Sequence, residues 1–387
     1  MKYSNKVAAI QSSPIREMMV RAAQIDDVIS FAVGEPDFIS APNIIEAAKR
    51  SLDEGETKYA PGAGMTRLRE VYVNYLEKTI GVSYNIENCL VTTGGMGALF
   101  LGLTTLLNPG DEVIFSSPYW TNYGQQVVLC GGTPVCVDVT EENEFNMSAD
   151  QLRKVITPKS KVILLNAPSN PTGSVMDKKS LGEIAEIAKK HDLFVISDEV
   201  YRHILFDHQE YTSIASFPGM EERTLIVDSC SKTHAMTGFR VGFATGPIDL
   251  ICEMTKITED VWSCVNSSAQ YAAIEALTNG AKYREMMVKE YEKRRNYIYK
   301  RINAINRISC IKPMGAFYIF ANIKETGLSA KEFCDRLLDE QHVAVVPGDN
   351  FGSNASGYVR ISYATSMEKI KEGMDRIEKF IKSSQVI

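Results

Sequence analysis

The middle of the chain alternates short apolar runs with helical patterns, and this alternation limits the possible folds more than any other feature. An apolar run at 161–165 precedes a segment, 181–188, whose apolar residues follow the i, i+3, i+4, i+7 spacing of an amphipathic helix, and a second apolar run follows at 193–197. Apolar strands connected through a helix are typical of a parallel sheet covered on both faces. Further runs of strand length lie at 89–93, 112–116, 134–139, 224–228 and 241–245. The pattern predicts a large α/β domain.

The length of the chain predicts a second, smaller domain. A single hydrophobic core stops growing at about 250–300 residues, whereas this chain has 387 residues. A charged helical pattern from 267 to 305, broken at Asn279-Gly280, would connect the two domains. We expect an N-terminal arm with part of the small domain at 1–45, a large domain at 46–280 and a small C-terminal domain at 281–387.

Charge and composition exclude several functional classes. The formal net charge is −6 and no block of lysines or arginines is present, which argues against a nucleic-acid surface. No apolar run reaches the ~18–20 residues of a membrane span, and we expect no signal peptide. The eight cysteines are scattered without CxxC pairs, so we expect no metal site and a reducing, cytoplasmic setting.

Glycines follow the first strand-type run, and ligands of open α/β sheets bind at the carboxyl ends of the strands. Gly94, Gly95, Met96 and Gly97 stand between the run at 89–93 and a helical segment. Bare N–H groups at such a helix start suit a phosphate, although a tight strand-to-helix turn explains the glycines equally well. The GxGxxG spacing of a nicotinamide-binding turn is absent, which disfavours a dehydrogenase.

Two further runs end in polar side chains that suit a cofactor ring. Asn170, in a Pro/Gly turn after 161–165, places an amide at the sheet edge. Asp198 follows the run at 193–197, where a buried carboxylate needs a cation from the protein or from a ligand. Tyr201 lies three residues later and could share that ligand. A plain turn at Asn170 and a helix cap at Asp198 are the structural alternatives.

The run at 224–228 leads into a segment with an unusual lysine. Lys232 stands among hydroxyl residues, with Ser229 and Ser231 before it and Arg240 after it. The serines and the arginine can bind an anion, and neighbouring cations should lower the pKa of Lys232 and make its amine nucleophilic. A surface salt bridge is the alternative. Together with the carboxylate and the amide, this set matches pyridoxal 5'-phosphate (PLP), a phosphorylated pyridine aldehyde that binds a lysine.

In its ordered motifs the sequence resembles the class I and II aminotransferases of fold type I, and the resemblance covers nearly the whole chain. The motifs are GEPDF, KYAPGAG, TTGGMGAL, PYWTNY, NAPSNPTG, SDEVY, SCSKTHAMTGFRVG and YVRISYA. The resemblance implies an α/β fold whose large domain has a mainly parallel seven-stranded sheet between helices, plus a smaller α+β domain. It also implies PLP as the cofactor.

The resemblance assigns the central chemistry to Lys232, which would form a Schiff base with the cofactor and then move a proton between substrate Cα and C4'. Asp198 would keep the pyridine nitrogen protonated, and Asn170 and Tyr201 would hydrogen-bond the ring oxygen O3'. Trp120 would stack on the ring, with ordinary core packing as the alternative. The implied phosphate site comprises Gly95, Met96, Gly97, Ser229, Ser231 and Arg240.

Substrate binding and assembly are likewise implied by the resemblance. Arg360 would clamp the substrate α-carboxylate bidentately, with a structural ion pair as the alternative. Gly34 would add a backbone contact near it, and Trp120 and Asn170 would also contact the substrate. Tyr59 would reach the phosphate of a neighbouring subunit, which implies a homodimer with shared active sites.

The resemblance predicts an aminotransferase that works in two half-reactions, on an L-amino acid and a 2-oxo acid such as 2-oxoglutarate. In one aspartate-using branch a lysine stands where this chain has Met96, so an aromatic or other bulky apolar donor is favoured. Aspartate aminotransferase and a PLP-dependent carbon–sulfur β-lyase remain alternatives. Phe351 either lines the substrate pocket or belongs to the core, and we assign no chemistry to His203 or His234.

Overall fold

The computed structural model describes residues 4–10 and 14–383 of the chain. Within these ranges the strands are Ile29–Ser30 (β1), Cys89–Thr92 (β2), Glu112–Ser117 (β3), Thr133–Asp138 (β4), Ser160–Asn166 (β5), Phe194–Asp198 (β6), Thr224–Ser229 (β7), Gly242–Thr245 (β8), Tyr318–Asn322 (β9), Val343–Ala344 (β10), Val346–Pro347 (β11) and Tyr358–Ser362 (β12). The helices are Asn5–Ala8 (α1), Pro14–Ala22 (α2), Pro42–Asp53 (α3), Thr66–Ile80 (α4), Gly94–Leu106 (α5), Asn122–Leu129 (α6), Ala149–Val155 (α7), Lys178–Lys190 (α8), Cys230–Thr233 (α9), Ile248–Val261 (α10), Ser267–Asn279 (α11), Ala281–Ala304 (α12), Ala330–Gln341 (α13) and Met367–Ser383 (α14).

Seven strands form one large sheet in the order β2-β8-β7-β6-β5-β3-β4. The neighbouring strands from β7 through β4 are paired in parallel, whereas β8 runs antiparallel to both β7 and β2. The mainly parallel seven-stranded sheet is therefore confirmed. Its central strands are apolar on both faces because helices cover both sides.

Helix α8 illustrates how the sequence builds this layer. The carboxylate of Asp177 accepts hydrogen bonds of 2.9 and 3.0 Å from the backbone N–H groups of Lys179 and Ser180, and so caps the helix start. The buried face of the helix is Leu181, Ile184, Ala185, Ile187 and Ala188. This apolar stripe belongs to the same core cluster as Ile163 of β5 and Val195 of β6, so the predicted strand–helix–strand unit is confirmed.

A second, three-stranded antiparallel sheet has the order β11-β12-β9. The N-terminal part of the chain joins this region, because β1 pairs in parallel with β10 and the backbone N–H of Ser362 donates to Phe31 O at 2.9 Å. The helical segment breaks where the sequence predicted, since α11 ends at Asn279 and α12 begins at Ala281. The exact domain boundaries stay a prediction.

A cavity of about 370 Å³ lies where the carboxyl ends of β2, β3, β5, β6 and β7 meet residues of β9, β12 and the segment after β1. The cavity is thus on the side of the sheet where α/β folds bind ligands. Among residues 4–10 and 14–383, no helix is long and apolar enough to cross a membrane. The same residues contain no cluster of ligands that could hold a metal ion.

Candidate active site

The cavity gathers residues that are far apart in the sequence. Twelve of the residues singled out above line it: Gly34, Gly95, Met96, Trp120, Asn170, Asp198, Tyr201, Ser229, Ser231, Lys232, Arg240 and Arg360. They lie at or after the carboxyl ends of five strands of the large sheet (β2, β3, β5, β6 and β7), just before β8, in β12 and in the loop that follows β1. The structure therefore collects separate sequence motifs around one volume that is large enough for a small ligand.

Three candidate site residues predicted from the sequence lie outside the cavity. Gly97 is buried inside α5, where an added Cβ would lie 2.4 Å from Thr93 Oγ1, and it does not line the cavity. Tyr59 lies outside the cavity and is 88% exposed. Phe351 is fully buried and its ring centre lies 5.1 Å from the Arg360 guanidinium carbon, so of its two alternatives it takes the core position.

The start of α5 forms an anion-binding corner. Gly94 has φ +74°, a conformation that suits glycine, and it turns the chain from β2 into the helix. Gly242 of β8 packs directly against this turn, because an added Cβ would lie 2.4 Å from the Gly94 carbonyl carbon. The first N–H groups of a helix have no partner within the helix, so those of Gly95 and Met96 are available to a phosphate.

Arg240 and two serines complete this corner. Arg240 has φ +57°, a strained conformation for a side-chain-bearing residue, and its Nη1 donates to Thr237 O at 2.9 Å. Ser229 caps α9 by accepting from the backbone N–H of Ser231 at 3.1 Å, and its hydroxyl also donates to Ser231 Oγ at 2.8 Å. No carboxylate of the described chain pairs with Arg240, so its charge remains available to an anion.

Asp198 ends β6 with only 3% of its surface exposed. Its Oδ2 accepts a hydrogen bond of 2.5 Å from the Tyr123 hydroxyl, and its Oδ1 accepts one of 3.3 Å from the Val200 N–H. Burial raises the pKa of Asp198 to about 6 despite these hydrogen bonds. Within the described residues no cation pairs with this carboxylate, which leaves that place for a positively charged ligand group.

Arg360 of β12 is 2% exposed. Its Nη1 donates to Asn170 Oδ1 at 3.1 Å and its Nη2 donates to Ala32 O at 2.6 Å, whereas its buried Nε has no partner. Burial lowers the pKa of this arginine. None of the described carboxylates forms an ion pair with Arg360, so the structural ion pair considered for it is not formed. A buried, unpaired guanidinium is costly, and an anionic ligand would compensate its charge.

Lys232 projects from α9 into the cavity, where its Nζ donates to Gly34 O at 2.6 Å. Burial is the main reason that the pKa of Lys232 falls to about 8, and the charges of Arg360 and Arg240 add to the effect. From the sequence, only the effect of the neighbouring cations could be expected. The charge of Glu35 opposes this fall of the pKa, but no carboxylate in the described part of the chain forms an ion pair with Lys232. A half-buried amine of this kind can act as a nucleophile and as a proton carrier near neutral pH.

Several residues of the cavity were missed by sequence reasoning. Tyr123 and Asn166 contact Asp198 directly, since the Asn166 side-chain amide donates to Asp198 O at 3.2 Å. Tyr318 of β9 shares a hydrogen bond of 2.8 Å with the Tyr201 hydroxyl. Glu35 lies at the edge of the cavity, is exposed, and accepts a hydrogen bond from Thr237. Nothing in their local sequence sets these residues apart, although Tyr123 and Glu35 lie within two of the quoted motifs.

Neither histidine near the motifs enters the cavity. His203 Nε2 lies 2.6 Å from the Tyr75 hydroxyl. His234 is 3% exposed, and burial lowers its pKa to about 3, which keeps the ring neutral. Both therefore belong to the packing behind the cavity, which agrees with assigning them no chemistry.

Comparisons with known proteins decide the family of this chain. The model of the family "Aminotransferase class I and II" matches residues 26–377. The chain belongs to the class I and II aminotransferases. It is 44% identical to an aspartate aminotransferase of Pyrococcus abyssi and 42% identical to the aromatic-amino-acid aminotransferase 2 of Thermococcus litoralis, in each case over 100% of both chains.

Comparison with a solved structure shows that this chain also shares the fold of a known aminotransferase. The aromatic aminotransferase from Pyrococcus horikoshii has a TM-score of 0.91 and is 43% identical, covering 96% of this chain and 100% of that one. Fold type I, the aminotransferase activity and the resemblance stated from the motifs are thereby confirmed. The protein is therefore a transferase whose substrates are small molecules, an amino acid and an oxo acid.

Class I and II aminotransferases depend on PLP, and the cavity of this one fits that cofactor. The N–H groups at the start of α5 and the unpaired Arg240 suit the phosphate. The unpaired, buried Asp198 suits a protonated pyridine nitrogen. Beside them, the unsatisfied Nε of Arg360 leaves a place for the carboxylate of an amino acid.

Proposed function

We propose that this aminotransferase takes its amino group from an aromatic or other bulky apolar L-amino acid and passes it to a 2-oxo acid such as 2-oxoglutarate. The observation that carries the donor class is the set of cations around the cavity. Within the described chain, the basic residues lining it are Lys232, Arg240 and Arg360. Lys232 would bind the cofactor covalently, Arg240 would bind its phosphate and Arg360 the α-carboxylate of the substrate. No further cation of this lining is left to bind a second carboxylate on the donor.

The rest of the lining supports an apolar side chain. Val33, Met96, Leu99 and Trp120 present apolar surface to the cavity, and methionine adapts to irregular shapes. Glu35 adds a carboxylate at the edge. A dicarboxylate donor would place its second charge in this lining without a cation, which costs free energy in a partly buried site.

The relatives are divided on this point. Of the two relatives described above, one is called an aspartate aminotransferase and the other an aromatic-amino-acid aminotransferase, and further relatives carry the aspartate name. Aspartate therefore stays the alternative donor. 2-Oxoglutarate is also a dicarboxylate, and its place in the proposal rests on the family resemblance, so the test varies donor and acceptor separately.

The proposed residue roles follow from the same geometry. PLP, when bound, supplies an electron sink that stabilises the charge left on substrate Cα after its proton is removed. Asp198 would hold a proton on the ring nitrogen, and Asn170 and Tyr201 would donate hydrogen bonds to the ring oxygen. Trp120 would cover the ring, and Arg360 with Gly34 would orient the substrate carboxylate. Gly95, Met96, Ser229, Ser231 and Arg240 would hold the phosphate, with Gly97 supporting the same turn.

Lys232 would remove the proton from substrate Cα and return it to C4'. Its pKa of about 8 leaves roughly a tenth of the amine uncharged at pH 7, far more than for an ordinary lysine, and a general base must be uncharged to accept a proton. The 2.6 Å hydrogen bond from Nζ to Gly34 O holds the amine at the side of the cavity near Arg360. A well-placed general base contributes roughly 10²–10⁴ in rate.

We further propose a homodimer in the cytoplasm. The exposed ring of Tyr59 supports the dimer, because a tyrosine that is 88% exposed gains little within its own chain and is free to reach a partner's phosphate site. All eight cysteines are free, which fits a reducing compartment.

A panel of donors tests the proposed substrate class. Initial rates would be measured for L-phenylalanine, L-tyrosine, L-leucine, L-methionine and L-aspartate with 2-oxoglutarate, and again with phenylpyruvate as acceptor. We expect kcat/KM for the aromatic donors to exceed that for aspartate by roughly tenfold or more, the value of one missing charge-assisted hydrogen bond. A preference for aspartate with both acceptors would replace this donor class by the alternative.

Covalent labelling tests the role of Lys232 independently of the donor. The holoenzyme would be reduced with borohydride and digested, and the peptide that carries the cofactor would be sequenced. We expect the label on Lys232 and no label in Lys232→Ala. A label on another lysine would remove the proposed role while leaving the family assignment intact.

A further inference from the structure

The hydroxyls of Tyr318 and Tyr201 share a hydrogen bond of 2.8 Å at the inner wall of the cavity. Both tyrosines are buried, with 1% and 4% of their surface exposed. Among the described residues, Tyr201 is the only hydrogen-bond partner of the Tyr318 hydroxyl. Because a buried hydroxyl needs a partner, the two side chains fix each other's orientation.

The ring of Tyr318 also supports the substrate clamp. The Arg360 guanidinium carbon lies 4.7 Å from the centre of this ring, within the range of a cation–π contact. The strand register explains the contact, since Tyr318 of β9 stands opposite Ser362 of β12, two residues from Arg360. Diagonal neighbours on one face of an antiparallel pair are within reach of long side chains.

Gly34 closes the space on the other side of the Tyr318 hydroxyl. An added Cβ at Gly34 would lie 2.4 Å from Tyr318 Oη, so the tyrosine occupies the volume of the missing side chain. The carbonyl of the same glycine accepts the hydrogen bond from Lys232 Nζ. Tyr318 thus touches, through one ring and one hydroxyl, the residues proposed to hold the ring oxygen and the substrate carboxylate.

We propose that Tyr318 is a positioning residue of the transamination site, which strengthens Tyr201 as a hydrogen-bond donor to the cofactor ring oxygen and holds the Arg360 guanidinium in place. This inference rests on the proposed roles of Tyr201 and Arg360.

The direction of the hydrogen bond follows from proton counting. Each tyrosine hydroxyl has one proton, and burial raises the pKa of both, so both stay neutral. If Tyr201 donates its proton to the ring oxygen, its own oxygen can only accept from Tyr318. A donor that itself accepts a hydrogen bond is a stronger donor, because chains of hydrogen bonds polarise one another.

Two substitutions separate the functions of hydroxyl and ring. Tyr318→Phe removes the donor and keeps the ring, whereas Tyr318→Leu removes both. The hydrogen bond from Tyr201 stabilises the ring oxygen in its deprotonated form. When this hydrogen bond is weaker, the deprotonated form is less favoured. The pH midpoint of the holoenzyme's visible absorption change should therefore rise in Tyr318→Phe, by roughly 0.5–1 pH unit. KM for the amino donor should change less than about twofold, because the ring beneath Arg360 remains.

Tyr318→Leu should show the same spectral shift and, in addition, a rise of roughly tenfold in KM for the donor, because Arg360 loses its support. Tyr363→Phe is the matched control. Its hydroxyl is also buried and donates to Ala316 O at 3.2 Å, but the residue does not line the cavity. This variant should keep the wild-type midpoint and KM.

Gly34→Ala provides a second route to the same test if Tyr318→Phe fails to fold. The added methyl group would displace the Tyr318 hydroxyl while both tyrosines remain, so the absorption midpoint should rise as in Tyr318→Phe. Midpoints in Tyr318→Phe or in Gly34→Ala equal to that of Tyr363→Phe would overturn the proposal. Failure of the underlying roles would look different, because the wild-type holoenzyme would then lack the pH-dependent band or would carry its borohydride label away from Lys232.

Discussion

The Tyr123 hydroxyl donates a hydrogen bond of 2.5 Å to Oδ2 of Asp198, although 75 residues separate the two in the chain. Tyr123 lies at the start of α6 and is 2% exposed, so water does not compete for its proton. The hydrogen bond opposes the effect of burial, which raises the pKa of Asp198 to about 6. Tyr123 thereby favours the charged form of the carboxylate proposed to face the cofactor nitrogen.

Tyr123→Phe should raise the pKa of Asp198 further, because the charged form loses its shortest hydrogen bond. We expect the acid limb of the kcat/KM profile to move to higher pH and kcat at neutral pH to fall roughly tenfold. The measurement is a pH–rate profile from pH 5 to 9. Tyr119→Phe, the same change four residues earlier in the loop before α6 and outside the cavity, is the control. Superimposable profiles for the two variants would contradict a role for Tyr123.

Tyr123 and Asp198 also show which parts of the site could be predicted from the sequence. Lys232, Asp198 and Asn170 follow strand-type runs, and the carboxyl ends of parallel strands converge, so their meeting in one cavity was predictable. Tyr123 and Tyr318 reach the cavity from a helix start and from the second sheet. Such contacts depend on how elements pack, which periodicity does not encode.

Strand direction is a second limit. The apolar run at 241–245 predicts a strand, and β8 forms there, but only the pairing reveals that it runs antiparallel to its neighbours. The role of Arg360 was open for a similar reason. A charged residue in an apolar strand pattern is compatible with a structural ion pair and with a ligand clamp. Only the folded structure shows that no described carboxylate pairs with Arg360.

Asp198→Asn should stabilise the apoenzyme. The folded-state pKa of about 6 lies above the usual 3.8, so the folded chain binds the proton more tightly than the unfolded chain between these values. The wild-type apoenzyme therefore loses stability as the pH rises from about 4 to about 6, by up to about 3 kcal/mol, and does not regain it above pH 6. Asparagine carries no charge and avoids this loss.

Urea unfolding of both apoenzymes between pH 4.5 and pH 8 measures the effect. The variant should be the more stable protein at pH 8, and the difference should shrink toward pH 4.5. In the holoenzymes the order should reverse, because Asp198 then has a cationic partner. A difference that does not depend on pH would show that the burial of Asp198 carries no such cost.

Tyr59 should act on the partner's active site. Tyr59→Ala should weaken PLP binding by roughly tenfold, the value of a charge-assisted hydrogen bond, and leave the unfolding midpoint nearly unchanged because the side chain is 88% exposed. Hybrid dimers show whether Tyr59 contributes to the PLP site of its own chain or to that of the partner. A Tyr59→Ala chain paired with a Lys232→Ala chain keeps one complete site only if Tyr59 reaches across.

A wild-type chain paired with a Tyr59→Ala/Lys232→Ala chain is the matched hybrid. It contains the same substitutions, but a tyrosine that acts across the interface would then be missing from its one site with Lys232. We expect wild-type PLP affinity in the first hybrid and weakened affinity in the second. Weakened PLP affinity in the first hybrid and wild-type affinity in the second would show that Tyr59 contributes to the active site of its own chain.

Met96 should decide between apolar and dicarboxylate donors. It lines the cavity, and its Sδ lies 3.4 Å from Asn122 Nδ2 and 3.6 Å from Gln126 Nε2. Met96→Lys would supply the cation that the described lining lacks for a second carboxylate. A hydrogen bond between charged groups contributes about 1.5–3 kcal/mol, so kcat/KM for aspartate should rise roughly tenfold to a hundredfold while that for phenylalanine falls.

Met96→Leu is the control for this change, because it keeps an apolar side chain of similar volume and should preserve the wild-type donor ranking. The ratio of kcat/KM for aspartate to that for phenylalanine is the informative quantity, since general damage to the site lowers both values together. The lysine should raise this ratio because its charge can pair with the second carboxylate of the incoming donor. An unchanged ratio in Met96→Lys would mean that the donor side chain does not reach residue 96, and that another part of the lining selects the substrate.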